Sequence, residues 1–104
     1  MSNLNVNEYG QVLRVNFGLD VSSASSYNFI IEPKVGEKVE KSTATLGTAN
    51  VTVGDETYTA NQYIEYTTAS GDLDQAGQWR IKGEATMSGS IKVISNYKSI
   101  TVNP

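Results

Sequence analysis

The 104-residue chain has no histidine and no cysteine. Without histidine it lacks the side chain that most readily exchanges protons near neutral pH. Without cysteine, thiolate nucleophiles, disulfides and the usual zinc and iron–sulfur ligand sets fall away. A cysteine-free chain suits any redox compartment, so this absence assigns no location. Charge is also scarce. Charged residues make up 18%, and 11 acids against 8 bases leave a net charge of −3. Phosphate backbones are held by basic surfaces, so nucleic acid is not an expected partner. The longest clean apolar run is Phe29-Ile30-Ile31, far below the roughly 20 residues of a membrane-spanning helix. No membrane association is expected. Residues 1–9 have neither the basic start nor the apolar run of a secretory leader.

Neutral polar residues take up the difference: Ser and Thr together number 21, beside 9 Gly. This length holds one hydrophobic core, hence one domain. Helical periodicity is nearly absent, and alternation with period two replaces it. Leu13, Val15 and Phe17 share one parity, as do Tyr27, Phe29 and Ile31. Pro33 ends the second run because it cannot donate to a ladder. Ile64 and Tyr66 flank Glu65, leaving Tyr63 and Glu65 on the other face. Trp79, Ile81, Gly83 and Ala85 alternate with Arg80, Lys82 and Glu84, the clearest in-and-out pattern of the chain. Ile91 and Val93 flank Lys92, and Ile100 and Val102 flank Thr101.

Turn signals separate these runs. Val53-Gly54-Asp55-Glu56 predicts a tight connection, and Met87-Ser88-Gly89-Ser90 a hairpin. Seven or eight short strands with turns every 8–12 residues predict a β-sandwich. Residues 1–10 carry little periodicity and are expected to form an extended N-terminal arm, leaving residues 11–104 as the sandwich.

The most informative stretch is Gly71-Asp72-Leu73-Asp74-Gln75-Ala76-Gly77-Gln78-Trp79. Its physics is local. A carboxylate, expected to be Asp74, accepts backbone N–H groups across the corner, with Asp72 solvated. Ala76 is small enough to sit under the turn, and Gly77 supplies a permissive backbone. Trp79 delivers the largest apolar side chain to the core. Leu73 is expected to plug the open end of the sandwich.

That corner is shared by immunoglobulin-like domains, and the order of elements around it adds detail. Phe17-Gly18-Leu19-Asp20-Val21-Ser22 ends an early strand. The strand Ser25-Tyr27-Phe29-Ile31-Pro33 follows, then Tyr63-Ile64-Glu65-Tyr66-Thr67, the corner and a closing Ile100-Thr101-Val102. Over roughly residues 10–104 this resembles the immunoglobulin-like N-terminal domain of siphophage baseplate upper proteins, and the short stand-alone proteins of that type in tailed phages. The resemblance implies an all-β, immunoglobulin-like antiparallel sandwich. It implies a virion building block that attaches a fibre, a receptor-binding protein or a neighbouring ring by surface contacts. Its partners would be tail, fibre or capsid subunits, and copies of itself in a ring or lattice. Capsid decoration is the alternative placement. The chain departs from the family in showing no coiled coil or receptor-binding part, and in a long Ser/Lys-rich stretch over residues 92–99.

Other chemistry is weaker. Asp72 with Asp74, and Asp55 with Glu56, lack the spacing of a calcium loop, which needs six to eight oxygens. A two-carboxylate glycosidase needs a cleft and stacking aromatics. Serine nucleophiles need an activating base, and no histidine supplies one. The expectation is no enzyme, no cofactor and no metal. Tyr58, Tyr63, Tyr66 and Tyr97 raise a reading of another class, a carbohydrate-binding or adhesion module for a host surface. The assembly reading instead assigns contacts to Leu4, Val6 and Tyr9 of the arm and to Tyr63 of strand 62–67, since tyrosine is enriched at interfaces.

Overall fold

A computed structural model describes residues 4–104. The chain is all-β, and its strands pack as an antiparallel β-sandwich. The strands run β1 (Leu4–Asn5), β2 (Val12–Asn16), β3 (Ser26–Glu32), β4 (Val39–Lys41), β5 (Thr45–Leu46) and β6 (Val51–Val53). They continue with β7 (Glu56–Tyr58), β8 (Tyr63–Thr67), β9 (Gly77–Thr86), β10 (Lys92–Ile94) and β11 (Lys98–Asn103). One sheet has the order β1-β11-β9-β3-β4, with β10 also on β9, and the other has the order β2-β8-β5. These are the immunoglobulin orders C′-C-F-G and B-E-D, with β1 laid beside the G position. The two sheets hold nine strands between them, one more than the seven or eight expected, the extra one being β10. The β6–β7 hairpin and β10 are additions to that frame.

Alternation explains most of the packing. On β9, Trp79, Ile81, Gly83 and Ala85 point inward and are buried. Across the sandwich, β2 contributes Leu13 and Val15, and β8 contributes Ile64 and Tyr66. A β-carbon at position 83 would lie 2.7 Å from Val15 Cγ2 and 2.8 Å from Ile64 Cδ1, so the sheets approach most closely there. Alternation breaks at Ile30, which has outward parity yet no exposed surface. Its register neighbours are Glu40 on one side and Lys82 on the other, and long charged side chains cover apolar surface with their stems.

Where the structure describes residues 1–10, they are not an extended arm. Leu4 and Asn5 pair in parallel with Val102 and Asn103. The Val6 N–H donates to Asn103 O (2.8 Å), the Asn7 N–H to Leu73 O (2.7 Å) and the Gly10 N–H to Thr68 O (2.8 Å). The physical reason is twofold: β11 would otherwise leave an open edge there, and Leu4 and Val6 pack on the core. Residues 1–3 of the expected arm lie outside the described residues.

Candidate functional site

The corner between β8 and β9 is built around Asp72, not Asp74. Tyr66 faces inward from β8, and its ring stacks on Phe29 with centroids 5.6 Å apart. Its hydroxyl emerges at the end of the sandwich and needs an acceptor there. Asp72 Oδ2 accepts from the Tyr66 hydroxyl at 2.5 Å and from the Ala69 N–H at 2.7 Å. Asp72 Oδ1 lies 3.0 Å from Lys41 Nζ, which joins the corner to β4. Burial pushes the Asp72 carboxyl up, but the Tyr66 hydroxyl, the Ala69 N–H and Lys41 outweigh it and hold it below the ordinary value. Burial first, then Asp72, push the Tyr66 phenol up to about 12.

The other corner residues divide. Leu73 is fully buried in the core, as expected of a plug. Trp79 is also buried, and its Nε1–H donates to Gln75 O at 3.0 Å. Gly77 has φ +128°, a conformation that L side chains rarely adopt. Asp74 and Ala76 are exposed. The expectation that Asp74 caps the turn and that Ala76 sits beneath it is therefore corrected, because the Tyr66 hydroxyl meets residue 72. Beside this corner, Pro33, Val39, Lys41, Asp72, Asp74 and Trp79 are among the residues around an open hollow of 430 Å³.

The expected contact residues separate in the same way. Leu4 is buried, so it is a core residue and not a contact for a partner. Val6 packs partly buried on the same cluster. Tyr9 is 64% exposed and remains free to meet a neighbour. Tyr63 is 2% exposed, which corrects its assignment as an interface residue. It has the outward parity read from the sequence, but the segment from Gly47 to Tyr58 folds over it. Its hydroxyl donates to Ala49 O at 2.8 Å, and its ring lies 5.4 Å from that of Tyr58.

The β6–β7 hairpin is strapped to the opposite sheet through one lysine. Lys98 Nζ of β11 lies 2.9 Å from Glu56 Oε1 and donates to the Tyr58 hydroxyl at 2.5 Å. Burial pulls Lys98 down, but Tyr58 and Glu56 more than compensate, so its pKa rises. Tyr58, Tyr63 and Tyr66 are all buried, so they do not form a surface platform with Tyr97. Tyr97 is 42% exposed. Its ring carries the Arg80 guanidinium at 4.2 Å and the Lys82 ammonium at 4.7 Å.

The expectation that the chain holds no Ser-x-x-Lys motif is corrected: Ser95-Asn96-Tyr97-Lys98 has that spacing, as in some serine nucleophiles. The two side chains are committed elsewhere. Ser95 Oγ accepts the Gly83 N–H at 2.8 Å and donates to Asn96 O, while Lys98 holds Glu56 and Tyr58. Among the described residues, no three acidic side chains converge as a metal site. Sequence reasoning also missed the exposed aliphatic side chains at the sheet edges: Val35 and Val39 beside β4, and Ile91 and Ile94 around β10. The available signal was the unpaired apolar residue of Ile91-Lys92-Val93-Ile94, where Ile94 breaks the alternation. Comparison with protein-family models, curated proteins and solved structures found no match.

Proposed function

We propose that this protein is a structural protein of a tailed-phage virion, an adaptor that joins the tail, baseplate or fibre assembly through protein–protein contacts. Capsid decoration is the alternative placement. The observation that carries the reading is how the surface is divided. Polar groups with chemical potential are spent on internal ties: Asp72 on Tyr66 and Lys41, Glu56 on Lys98, and Glu65 on Arg14. Large aliphatic side chains stand exposed beside β4 and around β10 instead. Isolated apolar residues are ordinary on any surface, but apolar side chains on strand edges invite another chain.

The corner Asp72-Leu73-Asp74-Gln75-Ala76-Gly77-Gln78-Trp79 and the immunoglobulin strand order support the phage resemblance. On this reading the protein acts without catalysis or cofactor. It works in the virion after assembly in the host cytoplasm, among tail, fibre or capsid subunits and copies of itself. The test is mass spectrometry of purified particles from the phage that encodes the chain, followed by cryo-electron microscopy. Stoichiometric presence at a symmetric ring or lattice position supports the proposal. Presence in the lysate with absence from purified particles overturns it.

A further inference from the structure

Besides β1, the larger sheet has two strands with only one partner among the described residues. β10 pairs with β9 alone, and β4 with β3 alone. The hydrogen-bond phase of each edge can be followed through the sheet. The Met87 N–H donates to Ile91 O (2.6 Å) and the Ser95 N–H to Gly83 O (2.9 Å). Residues 91, 93 and 95 therefore turn their backbone groups to β9, and Lys92 and Ile94 turn theirs away from the sheet. On β9 the groups of residues 83, 85 and 87 face β10, so those of Lys82 and Glu84 face β3. They meet Ile30 and Asn28. The groups of Phe29 and Ile31 are then left for β4, where they meet Lys41 and Val39. Glu40 is left with its N–H and C=O directed outward.

We propose that β10 of one copy pairs antiparallel with β4 of a second copy, with Lys92 opposite Glu40, so that the sheet continues from copy to copy. Direction, phase, pleat and charge are all consistent with this register. Direction: β10, β9, β3 and β4 alternate antiparallel, so a copy placed alongside brings β4 antiparallel to β10. Phase: Lys92 and Glu40 both carry outward-directed backbone groups, and Ile94 then meets Lys38. Pleat: Lys92 and Glu40 share the outer face with Glu84 and Ile30, while Val93 and Val39 share the inner face with Ala85 and Ile31. Charge: the central pair is opposite in sign, which favours facing residues across strands.

Pairing like edges centred on these residues loses the last condition: β4 on β4 centred at Glu40 sets carboxylate against carboxylate, and β10 on β10 centred at Lys92 brings the two lysines together. Centred at Val39, β4 on β4 would instead set Glu40 against Lys38, and a Val39→Cys copy alone is the control for that arrangement. The chosen contact covers Val39, 44% exposed, and Ile94, 52% exposed. It joins two different edges, so it is head-to-tail and generates a ring where the rotation closes. β1 does not obstruct it, because β1 lies beside Val102, which pairs with Gly77 at the far end of β9.

The inference rests on the assembly reading, yet the two fail separately: the experiment below uses pure protein, and particle composition does not enter it. The chain has no cysteine of its own, so disulfide trapping has no background from the native sequence. Val93 and Val39 would form a non-hydrogen-bonded pair with Cα atoms about 4.5 Å apart, within the span of a disulfide, roughly 4.4–6.8 Å. Val93→Cys and Val39→Cys are purified separately, checked for native circular dichroism, mixed and oxidised. The expected result is a covalent dimer containing one of each, and a ladder of multimers from a chain carrying both. Lys92→Glu in the Val93→Cys copy should reduce the yield several-fold, and Glu40→Lys in its partner should restore it. Dimers formed as readily by Val93→Cys alone, or by Val39→Cys alone, would mean that like edges meet, and would overturn the proposal. So would a mixed-dimer yield no higher than that of an exposed Asp55→Cys control.

Discussion

The ring of Tyr63 occupies the space that a β-carbon would need at Gly47. Such a carbon would lie 2.0 Å from Tyr63 Cζ. This contact seats the segment leading into β6 against the outer face of β8. The pair should therefore act as one unit. Tyr63→Ala is expected to cost about 3–5 kcal/mol, as for other large buried aromatics, and Gly47→Ala about 1–3 kcal/mol by overpacking. Urea denaturation of both variants checks this. An unchanged midpoint for Tyr63→Ala would put the ring back at the surface.

Trp79 should behave as a core anchor. Its indole is buried between the sheets, and its one polar atom is satisfied by Gln75 O. Trp79→Ala is expected to cost about 3–5 kcal/mol, a large part of the stability of a domain this size. Trp79→Phe keeps most of the volume and loses only the bond to Gln75. Thermal melts should rank wild type above Trp79→Phe, and Trp79→Phe above Trp79→Ala.

Asp72 sets an acid limit to stability. Its carboxyl titrates lower in the folded chain than in the unfolded one. The stability it adds is present above the unfolded carboxylate range and is lost as acid protonates the folded group. Asp72→Asn should cost on the order of 1–3 kcal/mol at neutral pH, and the gap to wild type should close as the pH falls. Tyr66 works at the other limit. With its phenol raised to about 12, it favours the folded state until alkali ionises it. Absorbance titration should show a tyrosine ionising at about pH 12, and Asp72→Asn should lower that value.

Removing the first residues should destabilise the domain. Leu4 is 5% exposed and pairs with Val102, so Leu4→Ala is expected to cost about 2–5 kcal/mol. Deleting residues 1–9 also removes Val6 and should lower the melting temperature markedly. A deletion variant that melts with the full chain would show that β1 contributes nothing to the fold.

Local pattern made β9 legible, because one strand buries its whole odd face and spells this out in ten residues. The tight turns at Gly54 and Gly89 were legible for the same reason. Tyr63 was not. Its parity was read correctly, but what covers the outer face of β8 is a hairpin seated over it through side chains, and no spacing rule reports that. The choice between Asp72 and Asp74 depended on where the Tyr66 hydroxyl emerges, a fact of tertiary structure. The parallel pairing of Leu4 with Val102 joins opposite ends of the chain and leaves no local trace. The sheet edges were hidden similarly, since strand order must be known before an edge can be named.

The parallel pairing of β1 with β11 also has a mechanical consequence. The chain enters β1 at one end of their short ladder and leaves β11 at the other, so opposed tension on the two strands runs along the ladder. The bond from the Val6 N–H to Asn103 O and the Leu4–Val102 pairing are then loaded together in shear, where antiparallel terminal strands would open one bond at a time. Single-molecule extension should record a higher rupture force when the protein is pulled through its ends than through cysteines placed at Asp55 and Ser88. A domain held at both ends would in this way resist load with its weakest-looking strand.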